Sequence, residues 1–196
     1  MIHFDYRKLT SLILDATSKA FRHVSVVAGA EHLYAFGLYT SEEFAYLTST
    51  ANSEEALTRT AEAYATRSGG PVELHRLSLR WSPCDWGYHL QGEEFFCEVQ
   101  EVLNNSFDNQ LGEYTHDPEK VEAICIRVLS EIKQQADKVA GKPINGIHFN
   151  LLKGDQSSEE RIEYANLLNT KDEVARFRLE VEQGIEAFFK LQQGLV

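Results

Sequence analysis

The sequence predicts an α+β fold: a largely antiparallel four-stranded sheet with helices packed on it, in the order α-β-β-α-β-α-α-β-α-α. Three observations predict it. Two runs rich in aromatic and β-forming residues, 32–39 and 44–50, are separated by Thr40-Ser41-Glu42-Glu43 and read as a β-hairpin. Stretches with apolar residues at three-four spacing, the longest from Asp117 to Val139, read as amphipathic helices. Strand–helix–strand units are too few for a doubly wound parallel sheet. A chain of 196 residues, 43% hydrophobic and 25% charged, can bury one core and has a globular balance, so a single domain over 1–196 is expected.

Each element has its own justification. Asp5 can cap a first helix, to about His23, that buries Leu9, Leu12, Ile13, Ala16 and Ala20. The run from His32 is apolar at nearly every position, which suggests a central strand covered on both faces. Asn52, with Glu55 three residues on, has the form of a capping box for a second helix, which Ser68-Gly69-Gly70-Pro71 ends. From Leu74, the alternation of Leu77, Leu79 and Trp81 with Arg76, Ser78 and Arg80 predicts a strand. A third helix is expected from Gly92 to Asn104, then a long polar loop to Thr115. Asp117-Pro118 starts the longest helix so far, with Val121, Ile124, Cys125, Val128 and Ile132 inward. A last strand follows over Ile144 to Leu152, a short helix at Ser157 with Glu160, and a final helix from about Thr170.

The net charge is −11, and its distribution is uneven. From Trp81 to Glu119 there is no Lys or Arg, against nine acids: Asp85, Glu93, Glu94, Glu98, Glu101, Asp108, Glu113, Asp117 and Glu119. Such a field repels nucleic acid and anionic lipid and attracts basic proteins. A solvated, solubilising face is the plainer reading. The N-terminus carries charges before any apolar run and no stretch is long and apolar enough for a membrane helix, so neither secretion nor insertion is expected. Cys84, Cys97 and Cys125 are odd in number and widely spaced, which argues for a reducing, cytoplasmic setting.

Both tryptophans fall in Arg80-Trp81-Ser82-Pro83-Cys84-Asp85-Trp86-Gly87-Tyr88, around a proline turn. Tryptophan, tyrosine and arginine dominate binding hot spots. Arg80, Trp81, Asp85 and Trp86, with Glu94, Glu98 and Glu101 on the following helix, are therefore the candidate residues for docking a basic protein partner. The alternative is structural, with Trp81 ending a strand and Trp86 stapling the turn. Cys84, Asp85 and His89 hold the raw material of a thiol nucleophile, but residue types this close together recur by accident. His75 and His148 could meet if their strands pair. No zinc-helix, calcium-loop, phosphate-loop, dinucleotide or hydrolase-elbow motif is present, so no catalytic residue, metal or cofactor is assigned.

The segments Leu-Tyr-Ala-Phe-Gly-Leu-Tyr-Thr at 33–40, Thr-Ala-Asn-Ser-Glu-Glu-Ala-Leu at 50–57 and Arg80 to Tyr88 resemble a bacterial family of proteins of about 200 residues classed only as a domain of unknown function. The Arg-Trp-Ser-Pro-x-Asp-Trp motif is the most specific part. Such families often lie near toxin and immunity genes, so the resemblance implies an immunity-type or other interaction role and supplies no catalytic residues. The expectation is a non-enzymatic interaction module whose acidic surface binds a basic protein. Two alternatives stand beside it: an enzyme or small-ligand protein with a pocket at the Trp81–Trp86 turn, and a homo-oligomer joined through Phe177, Val181, Ile185, Phe188 and Phe189.

Overall fold

The computed structural model describes residues 4–194; His3 lies outside them. Asp5 caps α1 (Tyr6–Val27), accepting the backbone N–H groups of Arg7 and Lys8 at 3.0 Å each. The buried stripe Leu9, Ile13, Ala16, Ala20 and Val24 follows the expected spacing, with Leu12 half-buried beside it, and the helix runs about one turn past His23. Each large aliphatic side chain on it contributes about 1.5–3 kcal/mol of burial. The chain continues through β1 (Leu33–Thr40), β2 (Leu47–Ser53), α2 (Glu54–Ser68), α3 (Val72–Leu79) and α4 (Cys97–Asn104). After these come the two-residue strands β3 (Phe107–Asp108) and β4 (Glu113–Tyr114), then α5 (Pro118–Gln134), α6 (Ala136–Ala140), β5 (His148–Lys153), α7 (Ser158–Leu168) and α8 (Lys171–Gln192).

The α+β class holds, but the sheet differs from the expected four strands. The main sheet has three strands in the order β2-β1-β5, and β3 with β4 makes a separate small hairpin inside the expected long loop. The hairpin of β1 and β2 is antiparallel as the sequence predicts, whereas β5 joins β1 in parallel. The predicted strand from Leu74 to Trp81 does not form: Leu74 to Leu79 belong to α3, and Arg80 and Trp81 lie in the turn after it. After Val72, α3 is made of Glu, Leu, His, Arg and Ser with no β-branched side chain, so propensity does not favour a strand. His75 and Leu79, one helical turn apart, are the buried positions that the alternation had hidden. Consequently His75 and His148 do not meet across strands: His75 Nε2 lies 2.7 Å from the Gly69 carbonyl oxygen, and His148 stacks on Phe177 with ring centroids 4.4 Å apart.

Caps explain most of the other boundaries. Ser53, not Asn52, caps α2, because its hydroxyl accepts Ala56 N–H at 2.9 Å, and Glu55 turns instead to His32. Asp117 with Pro118 starts α5, and full capping boxes at Ser157/Glu160 and Thr170/Glu173 start α7 and α8. The expected third helix is divided, a 3-10 turn over Glu93–Phe96 leading into α4, after Gly92 in a left-handed conformation.

All eight residues of β1 are buried, as a central strand covered on both faces should be. Phe36 and Leu38 join Phe149, Leu151 and the apolar faces of α1 and α5 in the main core. Ala35 and Tyr39 face the opposite side, with Leu57, Leu79 and Trp86. Gly37 sits where β1 and β5 come closest, and a Cβ there would run into the Asn150 carbonyl oxygen. Between Leu33 and Ala35 the register with β2 shifts, and Leu33 packs in the main core while Tyr34 and Ala35 share the second. A bulge of this kind re-aims one side chain, here Tyr34, toward the tryptophan turn.

Candidate functional site

The seven residues predicted as a contact surface separate into two groups. Arg80, Trp81, Asp85 and Trp86 belong to a knot on the second face of the sheet, whereas Glu94, Glu98 and Glu101 stand exposed on the segment that packs into the main core.

The knot is tightly satisfied. Trp86 is 4% exposed, and its indole N–H donates to the Arg80 carbonyl at 3.0 Å. The Tyr34 hydroxyl donates to the same carbonyl at 2.7 Å, and the Arg80 guanidinium lies over the Tyr34 ring, 4.3 Å from its centroid. Trp81 packs edge-on against Phe177 at 4.6 Å and gives its N–H to Glu180 at 3.0 Å. Arg80 clasps Glu54 with two nitrogens, and its Nε lies 3.1 Å from Glu180 Oε2, within ion-pair reach but angled off a hydrogen bond. Asp85 accepts the hydroxyls of Tyr64 at 2.5 Å and Ser82 at 2.6 Å. With its polar atoms paired internally, this turn fastens α2, α3 and α8 to the sheet.

The three groups of the possible thiol site diverge. The Cys84 thiol donates to Tyr39 Oη at 3.2 Å, His89 Nδ1 lies 3.2 Å from Thr50 Oγ1, and Asp85 is held as above. Burial holds the His89 imidazole below its usual basicity. Among the described residues, no three His, Cys, Asp or Glu side chains gather as a metal ion would require.

The acidic segment remains open. Of its nine acids, Asp85 bonds to two hydroxyls and Asp117 pairs with Lys120 at 2.9 Å. The other seven have no Lys or Arg within ion-pair distance among the described residues. Three of them, Glu93, Glu94 and Glu101, line a groove of about 780 Å3 between the start of β2 and α4. Sequence reading missed this groove's apolar floor, which is formed in part by Tyr46, Leu90 and Phe96.

Two features of the groove call for a cause. Leu90 has a φ of 62°, a left-handed conformation that a leucine adopts only at a cost of about 1–2 kcal/mol. Phe44 shares that conformation but is 1% exposed, so core burial offsets its strain; Leu90 is 42% exposed. Its backbone is held by Leu90 N–H donating to Ser49 O at 3.2 Å and Ser49 Oγ donating to Gln91 O at 2.8 Å. Thr48, 5% exposed and also lining the groove, has a buried hydroxyl with no hydrogen-bond partner. No signal in the sequence marks either feature, since Leu90 stands where glycine or asparagine would be the usual choice.

The fold and site together define an α+β domain with a three-stranded mixed sheet, a tryptophan-bearing knot and an acidic groove. The chain belongs to the family described as "Domain of unknown function (DUF4303)", whose model matches residues 13–170. No curated protein and no solved structure matches it. Among the described residues, no helix is long and apolar enough to cross a membrane.

Proposed function

We propose that this protein is a non-enzymatic interaction module that receives a basic, apolar-anchored segment of another protein along the groove beside α4. The observation that carries the reading is the set of seven carboxylates, in a stretch without Lys or Arg, that have no cationic partner among the described residues, three of which, Glu93, Glu94 and Glu101, line a groove with an apolar floor. A ligand side chain over Leu90 would offset the exposed strain there, and cations of the ligand would meet Glu93, Glu94 and Glu101. Like charges at Glu98 and Glu101, three residues apart on α4, oppose folding by a few tenths of a kcal/mol, a penalty that a bound cation reverses. Electrostatic steering would make association fast and sensitive to salt. An immunity-type role, with a basic toxin domain as the partner, is the specific form that the family resemblance implies.

The test is affinity capture with the wild type and with Glu94→Gln/Glu98→Gln/Glu101→Gln, at low and high salt. Recovery of one basic protein by the wild type at low salt, diminished by the triple substitution and by salt, is expected. Equal recovery by the variant, or no basic protein at either salt, overturns the reading.

A further inference from the structure

A second cavity, of about 390 Å3, opens on the far side of the tryptophan knot, between α3, α7 and α8. Its size falls within the roughly 300–1,000 Å3 of small-molecule clefts. One end is polar, with the Arg161 guanidinium and the hydroxyl-bearing Ser82 and Ser158; the other is apolar, with Ile185, Phe188 and Phe189. Those three are 44%, 51% and 56% exposed, three large apolar side chains on one wall of the cavity.

Arg161 is the unusual member. A guanidinium has five N–H donors and no acceptor, and when buried it normally faces a carboxylate. Here one nitrogen donates to the Trp81 carbonyl at 3.0 Å, Nε is buried without an acceptor, and no carboxylate lies within ion-pair distance among the described residues. Burial holds this guanidinium below its ordinary basicity, with only the Tyr39 and Cys84 side chains acting in the opposite sense. Glu180 lines the same cavity but is engaged by Arg80 and by the Trp81 N–H. Glu160, one residue before Arg161, is taken by Ser157. Arg76 and Arg80 balance Glu54 and Glu180, so the Arg161 charge is left uncompensated beside an apolar slot.

We propose that this cavity binds a small hydrophobic carboxylate, its anionic head on the Arg161 guanidinium and its tail along Ile185, Phe188 and Phe189. A carboxylate matches the fork of a single guanidinium. The apolar walls select an acyl or aryl tail over a sugar or an inorganic anion. The site is separate from the acidic groove, and the proposal does not rest on that groove's function.

The test is titration of the 15N-labelled full chain with octanoate and, in parallel, octylammonium, reading the Trp81 indole N–H resonance. Octanoate is expected to shift it saturably while octylammonium does not. Arg161→Gln should abolish the response. Because Arg161 also holds the Trp81 carbonyl, Ile185→Glu and Ile185→Lys provide a second arm on an exposed position. Both remove apolar contact with the tail and should weaken octanoate binding, the glutamate at least tenfold and more than the lysine. No saturable shift with octanoate, equal binding of octylammonium, or wild-type affinity for octanoate in the Ile185→Glu variant overturns the proposal.

Discussion

Arg80 holds both carboxylate oxygens of Glu54, Nη2 to Oε1 at 2.6 Å and Nη1 to Oε2 at 3.0 Å, joining the end of α3 to the first turn of α2. Glu54 also accepts from Arg76 at 2.6 Å, so one acidic residue next to the Ser53 cap gathers two arginines. The arginines keep its carboxyl below the ordinary range despite the opposing effect of burial. The Arg80 side chain is 17% exposed, which places the pair between a surface bridge worth about 0–1 kcal/mol and a buried one whose disruption costs about 3–5 kcal/mol. Arg80→Ala should therefore destabilise by roughly 2 kcal/mol or more, and Arg80→Lys should recover only part, since an ammonium cannot make the two-pronged contact. Urea denaturation of the three proteins checks this ordering.

Close backbone approach makes two glycines intolerant. A Cβ at Gly184 would lie 2.9 Å from the Leu77 carbonyl oxygen, where α8 crosses α3, and one at Gly37 would meet the Asn150 carbonyl oxygen between parallel strands. Gly184→Ala should lower the melting temperature by several degrees, equivalent to about 1–3 kcal/mol of overpacking. Gly37→Ala should do more harm, because two strands cannot separate without losing their ladder. Gly141→Ala, at a left-handed position with open space around it, should cost only the backbone strain of about 1 kcal/mol.

Acid stability follows from two groups that both lose their contribution as the pH falls, in different windows. Burial, reinforced by Lys133, pushes the His148 imidazole down to about 3, so the native state keeps it neutral while the unfolded chain takes up a proton near 6.5. Its contribution is complete above pH 6.5 and is lost as the pH falls toward 3, with a slope of at most about 1.4 kcal/mol per pH unit. Arg59, with help from Ser53 and Tyr88, holds the Glu31 carboxyl at about 2, so its contribution is present above about 4.5 and fades between there and 2. Denaturation measured at intervals from about pH 7 down to about pH 2 should show the decline beginning near 6.5. In His148→Phe that first decline should shrink to the smaller part carried by His89 and His116, which burial also holds below their usual basicity, while the Glu31 portion remains.

Lys153 ends β5 at 7% exposure, with its ammonium 3.2 Å from both Glu42 and Glu122. Those carboxylates and the Tyr164 hydroxyl raise its basicity against the effect of burial. Lys153→Met should cost about 3 kcal/mol by stranding Glu122, and adding Glu122→Gln should return part of that loss. A double-mutant cycle by chemical denaturation measures the coupling.

The acidic groove makes a contrary prediction. Glu94→Gln/Glu98→Gln/Glu101→Gln should leave the melting temperature unchanged or slightly raised, because it relieves repulsion and removes no internal partner. A fall of several degrees would mean that these carboxylates support the fold.

Local chemistry was legible in the sequence and distant pairing was not. Asp5, Asp117, Ser157 and Thr170 announced their helices through side chains that act within a turn, and β1 declared itself by apolar residues at every position. The parallel placement of β5 depends on a contact between residues more than a hundred positions apart, which no periodicity encodes. At 74–81, three alternating positions suggested a strand because the burial of His75 with Leu79 was not apparent. The exposed acids followed from the missing lysines and arginines. The groove beside them did not, since it depends on the backbone of Leu90, and the Arg161 cavity depends on helices that only the tertiary fold brings together.

The parallel partnership of β1 with β5 also dictates when a nascent chain can mature. Ribosomes add about 5–20 residues per second, so roughly 6 to 23 seconds separate emergence of residue 40 from that of residue 153. Throughout that interval the hairpin of β1 and β2 has one flank unclaimed, open to chaperones or to neighbouring polypeptides, and only the arrival of His148 to Lys153 closes it.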